Sequence, residues 1–234
     1  MIWNFKLSLI KKIKVVGLGG IGSYLVEPLS RYMSYSNYSC ELTFVDGDVY
    51  EDKNRERQNF SRCINKAEDS CINYKEKFPK IHYRYKNEYL NEDNVISTIR
   101  EKDVVFLCVD NHATRKLVSD RCSELDEICL ISGGNDVTDG NVICYLRENG
   151  KDITKAPTEL YSSIANPQDV NPGDKEMISL GCQDEVEQNP QLLFTNLAIA
   201  STMLNCYRKY ENKDINFHQV YIDINTLRSR PSPE

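Results

Sequence analysis

Short apolar runs alternate with longer stretches of helical periodicity along this chain. That alternation predicts a mostly parallel sheet flanked by helices. Ile13 to Val16 reads as a first strand and Ile21 to Tyr35 as a first helix. Cys40 to Val45 (CELTFV) is a second strand, and Lys66 to Phe78 a second helix stopped by Pro79. Ile81 to Tyr85 (IHYRY) alternates like a strand, and Asn91 to Arg100 is a short helix opened by an Asn or Glu cap. Val104 to Val109 (VVFLCV) is apolar throughout, as expected of a central strand buried on both faces. A further helix opens at His112, and Ile128 to Ser132 and Asn141 to Leu146 read as strands. From Glu148 to Pro190 the periodicity fades among four prolines, which predicts an irregular segment. Gln191 to Tyr207 is an amphipathic or buried helix, Val220 to Ile224 a last strand, and RSRPSPE a loose tail.

The chemistry gathers where predicted strands end. Gly17, Gly19 and Gly22 follow the first strand at G-x-G-x-x-G spacing, with Gly20 as an extra glycine, and the first helix begins there. Without a Cβ the backbone turns tightly and approaches a ligand closely. The helix then offers unpaired N–H groups and the positive end of its dipole to an anion. A nucleotide phosphate fits that place; a tight strand-to-helix turn with no ligand is the alternative. The pattern implies an α/β, Rossmann-like domain, with a nucleotide-binding core over 1–147, a crossover loop over 148–190, and a C-terminal helix plus strand over 191–234.

Asp46, followed by Gly47 and Asp48, ends the second strand, where an acid binds ribose hydroxyls or serves as a helix cap or turn carboxylate. A ribose acid does not distinguish NAD from ATP. Beyond it crowd Lys53, Arg55, Arg57, Arg62 and Lys66. Charge developing on a triphosphate calls for such cations, whereas hydride transfer does not. A solvated loop paired with Glu51, Asp52 and Glu56 would have the same composition. Asp110, at the tip of the central strand, is placed to hold Mg²⁺ as one of few protein ligands, to cap the next helix, or both.

Composition narrows the class. The chain has 234 residues, 40% hydrophobic and 27% charged, enough for a core and unlike a disordered chain. A net charge of −6 argues against a basic nucleic-acid face. No apolar run is long enough for a bilayer, and basic residues without a cleavage site follow the apolar start MIWNFKLSLIKK. The expected location is cytoplasmic. Nine cysteines include no C-x-x-C pair, so the zinc signature is missing and free thiols in a reducing compartment are expected.

Three segments, GLGGIGS, VDGDVYEDKNRERQ and CVDNHATR, together resemble the ThiF/MoeB superfamily of ubiquitin-activating enzymes and their bacterial relatives. They match its glycine loop, its D-x-D-x-V…N-x-x-R-Q block and its D-N-x-x-T/A-R block, in order, over about the first half of the chain. The short length most resembles ThiF-like proteins of the PRTRC type. The resemblance implies ATP along Gly17 to Gly22 and ribose on Asp46, with Asp48 beside it. It places Asn54 and Arg57 against the triphosphate and makes Lys66 the phosphate-binding lysine, at a shorter interval than usual. It puts Mg²⁺ on Asp110, and has Asn111 and Arg115 shape the site. Cys182, in the crossover, is the candidate thioester nucleophile by location. Its neighbours Asp184 and Glu185 would raise its pKa, so an ordinary loop cysteine is the competing reading. Departures are the absent C-x-x-C pairs, hence no structural zinc, and the absence of an R-Y-x-R-Q arm before the first strand.

The leading expectation is therefore ATP- and Mg-dependent adenylation of a carboxylate, the C-terminus of a ubiquitin-like or sulfur-carrier protein, by a homodimer or heterodimer that binds neither nucleic acid nor membrane. A catalytically inactive scaffold or partner subunit is the second class. An NAD-dependent oxidoreductase is the third; the Arg-rich block and the lack of an evident hydride-transfer His or Tyr–Lys pair count against it.

Overall fold

Successive strand residues point to opposite faces of a sheet, so a strand apolar at every position needs cover on both sides. The computed structural model describes residues 10–55, 58–177 and 193–232 and supplies that cover. In chain order its elements are β1 (Lys11–Val16), α1 (Gly20–Ser34), β2 (Cys40–Val45), α2 (Lys66–Lys77), β3 (His82–Lys86), α3 (Glu92–Thr98), β4 (Val104–Leu107) and α4 (His112–Ser123). Then follow β5 (Ile128–Asn135), β6 (Asp139–Glu148), β7 (Lys151–Asp152), α5 (Pro157–Leu160), α6 (Ser162–Ala165), α7 (Leu193–Glu211), β8 (Gln219–Asp223) and β9 (Arg228–Ser232).

The strands form one sheet in the order β3-β2-β1-β4-β5-β6-β8-β9, with β7 paired to β6. β3, β2, β1, β4 and β5 are parallel, and the remaining pairings are antiparallel. The protein is thus mixed α/β and Rossmann-like, with five of the nine described strands parallel. Alternate residues of β4 show the two layers. Val104 and Phe106 join Leu25, Leu29 and Met33 of α1 and Met203 of α7 in one apolar cluster. Val105 and Leu107 join Val95 of α3 and Val118 and Cys122 of α4 in the other. Chain order reverses between β1 and β4, so the crevice at their C-terminal ends is where such sheets bind ligands.

Two features differ from the sequence expectation. The loose tail is instead β9, an edge strand paired with β8, its Pro231 tolerated because an edge needs no second donor. The C-terminal part is therefore a helix plus two strands. β5 also continues past Ser132 through Gly133, Gly134 and Asn135, which pair with Val142, Asn141 and Gly140 of β6. Up to Met177, the irregular crossover contains β7, α5, α6 and a short 3-10 turn. Among the described residues no helix is long and apolar enough to cross a membrane.

Candidate functional site

At the β1/β4 switch point a cavity of about 810 Å³ opens. Gly17, Gly19, Gly20, Asp46, Asp48, Asn54, Lys66, Asp110, Asn111 and Arg115 all line it. The fold thus brings ten of the expected site residues together. Gly22 does not line the cavity. It packs against the loop, where a Cβ would lie 2.1 Å from the Gly17 carbonyl oxygen. Gly17 has φ +84°, the left-handed conformation that favours glycine. Arg57 and Cys182 lie outside the described residues.

The glycine loop leaves the α1 N-terminus open. Its N-cap is Gly19, with no side-chain cap and no acidic residue in the first turn. A Cβ on Gly19 would meet nothing within 4 Å, so the backbone there borders free space. The two longer helices that also begin at the cavity, α2 and α4, are capped. Asn65 accepts from the Ala67 and Glu68 N–H groups of α2. For α4, Asn111 accepts from Thr114 N–H at 2.8 Å, and Asp169 of the crossover accepts from His112 and Ala113 N–H at 2.7 and 2.9 Å. An incoming anion therefore meets unpaired donors at α1.

Asp46 joins the loop to β2. Its carboxylate accepts from Leu18 N–H at 2.5 Å and Asp48 N–H at 2.8 Å. Burial raises its pKa to about 6, against the pull of Lys66 and these two N–H groups. A carboxylate has about four acceptor positions, so lone pairs remain for a sugar hydroxyl. Lys66 opens α2 with its side chain only 5% exposed, and its ammonium bonds Asp48 Oδ2 at 2.8 Å. Tyr89, from the turn after β3, donates to the other oxygen of Asp48.

Arg115 borders the cavity but donates inward, to the carbonyls of Val109 and Gly133 at 2.6 and 2.7 Å and to Ser132 Oγ at 3.0 Å. It shapes the site by tying the ends of β4 and β5 together. Arg62 points elsewhere: it donates to Asp69 and Asn73 on α2. Of the cation crowd read from composition, Lys66 is the member that lines the cavity among the described side chains, and Arg115 of α4 joins it there. Asp110 is exposed at the cavity. Among the described residues no group of three or more His, Cys, Asp or Glu could hold a metal. One carboxylate suits Mg²⁺ only when phosphates and water supply the other ligands. Eight cysteines are described, all free and all but Cys63 buried. Cys108 lines the cavity, but burial pushes its thiol up to about 12.

Several site residues were not singled out from sequence. Gln58 closes the N-x-x-R-Q segment; it lines the cavity, and its buried Oε1 has no partner. The motif itself was the available signal. Tyr89 and Asp169 carried none, because each reaches the site from a distant segment. Elsewhere the lining is a neutral hydrogen-bond network, in which Asn141 donates to Tyr161 Oη (2.8 Å), Tyr161 to Gln219 Oε1 (2.6 Å) and Gln219 to Tyr221 Oη (2.9 Å), with the carboxylates of Asp136 and Asp139 also on the cavity.

Fold and site together define a doubly wound α/β protein with a nucleotide-sized crevice at its switch point. Residues 6–216 match the ThiF family, and the chain belongs to that family. It is 34% identical over 142 residues to the adenylyltransferase and sulfurtransferase MOCS3 of Drosophila ananassae, a match covering 59% of this chain and 30% of that protein. The Drosophila grimshawi protein of the same name is 34% identical over 137 residues, covering 57% and 29%. The chain thus spans less than a third of these curated relatives. Among solved structures, E. coli MccB with MccA-N7isoASN superposes with a TM-score of 0.71 at 17% identity, over 95% of this chain and 64% of that one. MccB with ATP gives 0.68 at 17% identity, over 95% and 63%. PaaA gives 0.66 at 16%, over 95% and 72%. At these identities the structural likeness concerns the fold.

Proposed function

We propose that the chain binds ATP with Mg²⁺ in the switch-point cavity and adenylates a carboxylate. The carrying observation is the convergence, on one cavity, of the uncapped α1 N-terminus, the ribose-ready Asp46 and the sequestered Lys66. Two comparisons support the reading: relatives named adenylyltransferases, and a fold neighbour solved with ATP and with MccA-N7isoASN.

The nucleoside enters with its ribose on Asp46 and its phosphates along Gly19, Gly20 and the first turn of α1. Lys66 and, from outside the described residues, Arg57 neutralise charge on the phosphates, and Asn54 offers them its amide N–H groups. Asp110 would hold Mg²⁺, which when bound supplies positive charge to the triphosphate. The acceptor carboxylate approaches past the hydroxyl and amide groups of Asn141, Tyr161 and Tyr221. A carboxylate oxygen attacks the α-phosphorus, the bond to the bridging oxygen breaks, and acyl-adenylate and pyrophosphate form. No proton has to move, so the residues act by alignment and charge. The acceptor is the C-terminus of a ubiquitin-like protein, a sulfur carrier or a peptide, taken by a homodimer or heterodimer. No step is assigned to Cys182.

The test is ATP–pyrophosphate exchange with Mg²⁺, with and without carrier proteins ending in Gly-Gly and peptides with free C-termini. Exchange dependent on acceptor is expected, lost on chelation and reduced roughly 100- to 1,000-fold in Lys66→Ala and Asp110→Ala. Near-normal exchange in both variants would sink the assignment. Tight ATP binding without exchange under any acceptor would favour the inactive partner subunit.

A further inference from the structure

The functional reading leaves one contact unused: the hydroxyl of Tyr89 on Asp48. Asp48 accepts from two sides. Lys66 holds Oδ2 at 2.8 Å and Tyr89 holds Oδ1. The lysine is buried, while the Asp48 side chain is half exposed on the cavity. Lys66 therefore already has an anion, and any phosphate in the cavity must share that ammonium with Asp48.

A hydrogen bond on one carboxylate oxygen draws charge toward it and leaves the other a weaker partner for lysine. The phenol reaches Asp48 by lying across Gly47. A Cβ on Gly47 would be 2.5–2.7 Å from three carbons of the Tyr89 ring, so only a glycine allows the ring this seat. Burial, with Asp48 next, raises the pKa of the phenol, which keeps it a donor at neutral pH.

We propose that Tyr89 is a positioning residue for the nucleotide phosphates: its hydroxyl, seated over Gly47, loosens the hold of Asp48 on Lys66 and so frees the ammonium for the ligand. This rests on the proposed ATP site. The role is specific to phosphate. Adenosine lacks the group that Lys66 would meet, so its binding is indifferent to Tyr89.

The experiment is calorimetric titration of the full chain with Mg-ATP and with adenosine, for wild type, Tyr89→Phe, Lys66→Ala and the double variant. Because Tyr89 acts on Lys66 through a shared carboxylate, the coupling between them predicts that Tyr89→Phe weakens ATP about fivefold or more. Adenosine should stay within about twofold, and Tyr89→Phe should add less than about twofold in the Lys66→Ala background. Gly47→Ala, which unseats the ring by a different route, should reproduce the ATP-selective loss. Equal losses for ATP and adenosine, or additive effects of Tyr89→Phe and Lys66→Ala, would overturn the assignment. Wild type that binds ATP while Tyr89→Phe binds it equally well removes only the role of Tyr89. Wild type that binds no ATP removes the nucleotide site and this role with it.

Discussion

Asp46 and Arg115 both border the cavity, and burial acts on them in opposite directions. Asp46 has its pKa raised from 3.8 to about 6, chiefly by desolvation. Between those values the folded chain keeps a proton that the unfolded chain has lost. The contribution of this group to stability therefore falls as pH rises from about 4 to about 6 and is level above. Ligand binding runs the other way, because an ionised carboxylate is the better hydroxyl acceptor. Adenosine affinity should rise with a midpoint near about pH 6, and Asp46→Asn should flatten the profile. A wild-type profile flat from about pH 5 to 8 would take ribose away from Asp46. Arg115 is pushed down by the same desolvation yet stays charged, with its donors spent on Val109, Gly133 and Ser132. Arg115→Ala leaves two carbonyls unpaired and should cost roughly 2–5 kcal/mol in urea denaturation. Unchanged stability with lost ATP binding would instead make Arg115 a ligand contact.

At the scale of elements, the β1–α1 turn separates glycines that fold the loop from one that admits a ligand. Gly22 is helical, where alanine would gain about 1 kcal/mol by propensity. The 2.1 Å approach to the Gly17 carbonyl outweighs this, since backbone on both sides has to move. Gly22→Ala should therefore lower stability by several kcal/mol, roughly 2–4. Gly19→Ala adds a methyl to open space at an N-cap and should cost about 1 kcal/mol or less. It should nonetheless abolish ATP binding, because the methyl occupies the approach to the phosphates. Paired urea curves and ATP titrations would show this inverse ranking; a Gly19→Ala chain that binds ATP normally would move the phosphates off the loop. The crossover differs in kind. Its described part is fastened by Asp169 on α4 and by Asn171, which donates to the Leu90 carbonyl at 2.8 Å. These bonds hold an irregular segment in place without periodicity.

For the whole molecule, a ligand that binds only the folded chain stabilises all of it. At a concentration 100 times its dissociation constant, Mg-ATP should add about 2.7 kcal/mol. For a chain of 234 residues each kcal/mol is worth about 2–4 °C, so Tm should rise by roughly 5–10 °C. Thermal scans with Mg-ATP and with Mg²⁺ alone test this. No shift at millimolar Mg-ATP would count against a nucleotide in the crevice.

Local pattern was enough wherever one segment met its own physical need. β1, β2 and β4 were legible because a strand covered on both faces must be apolar at nearly every position, and the glycine spacing after β1 has few other uses. As cavity-lining residues, Asp46 and Lys66 were legible because they stand at a strand or helix end within recognisable blocks, and Asp110 because such a block spans the turn between β4 and α4. β9 was not: Arg228–Ser232 has no apolar side of its own and becomes a strand only by pairing with β8. The extension of β5 through two glycines was also hidden, since glycine reads as a breaker until Met203 and Arg115 are seen pressing where Cβ atoms would lie. Which cations serve the cavity was a tertiary decision too. Asp69 and Asn73 draw Arg62 away, three acceptors draw Arg115 inward, and Tyr89 crosses Gly47 to share Asp48 with Lys66. A sequence states which side chains carry charge, but the direction of each charge depends on partners that only the folded chain brings beside it.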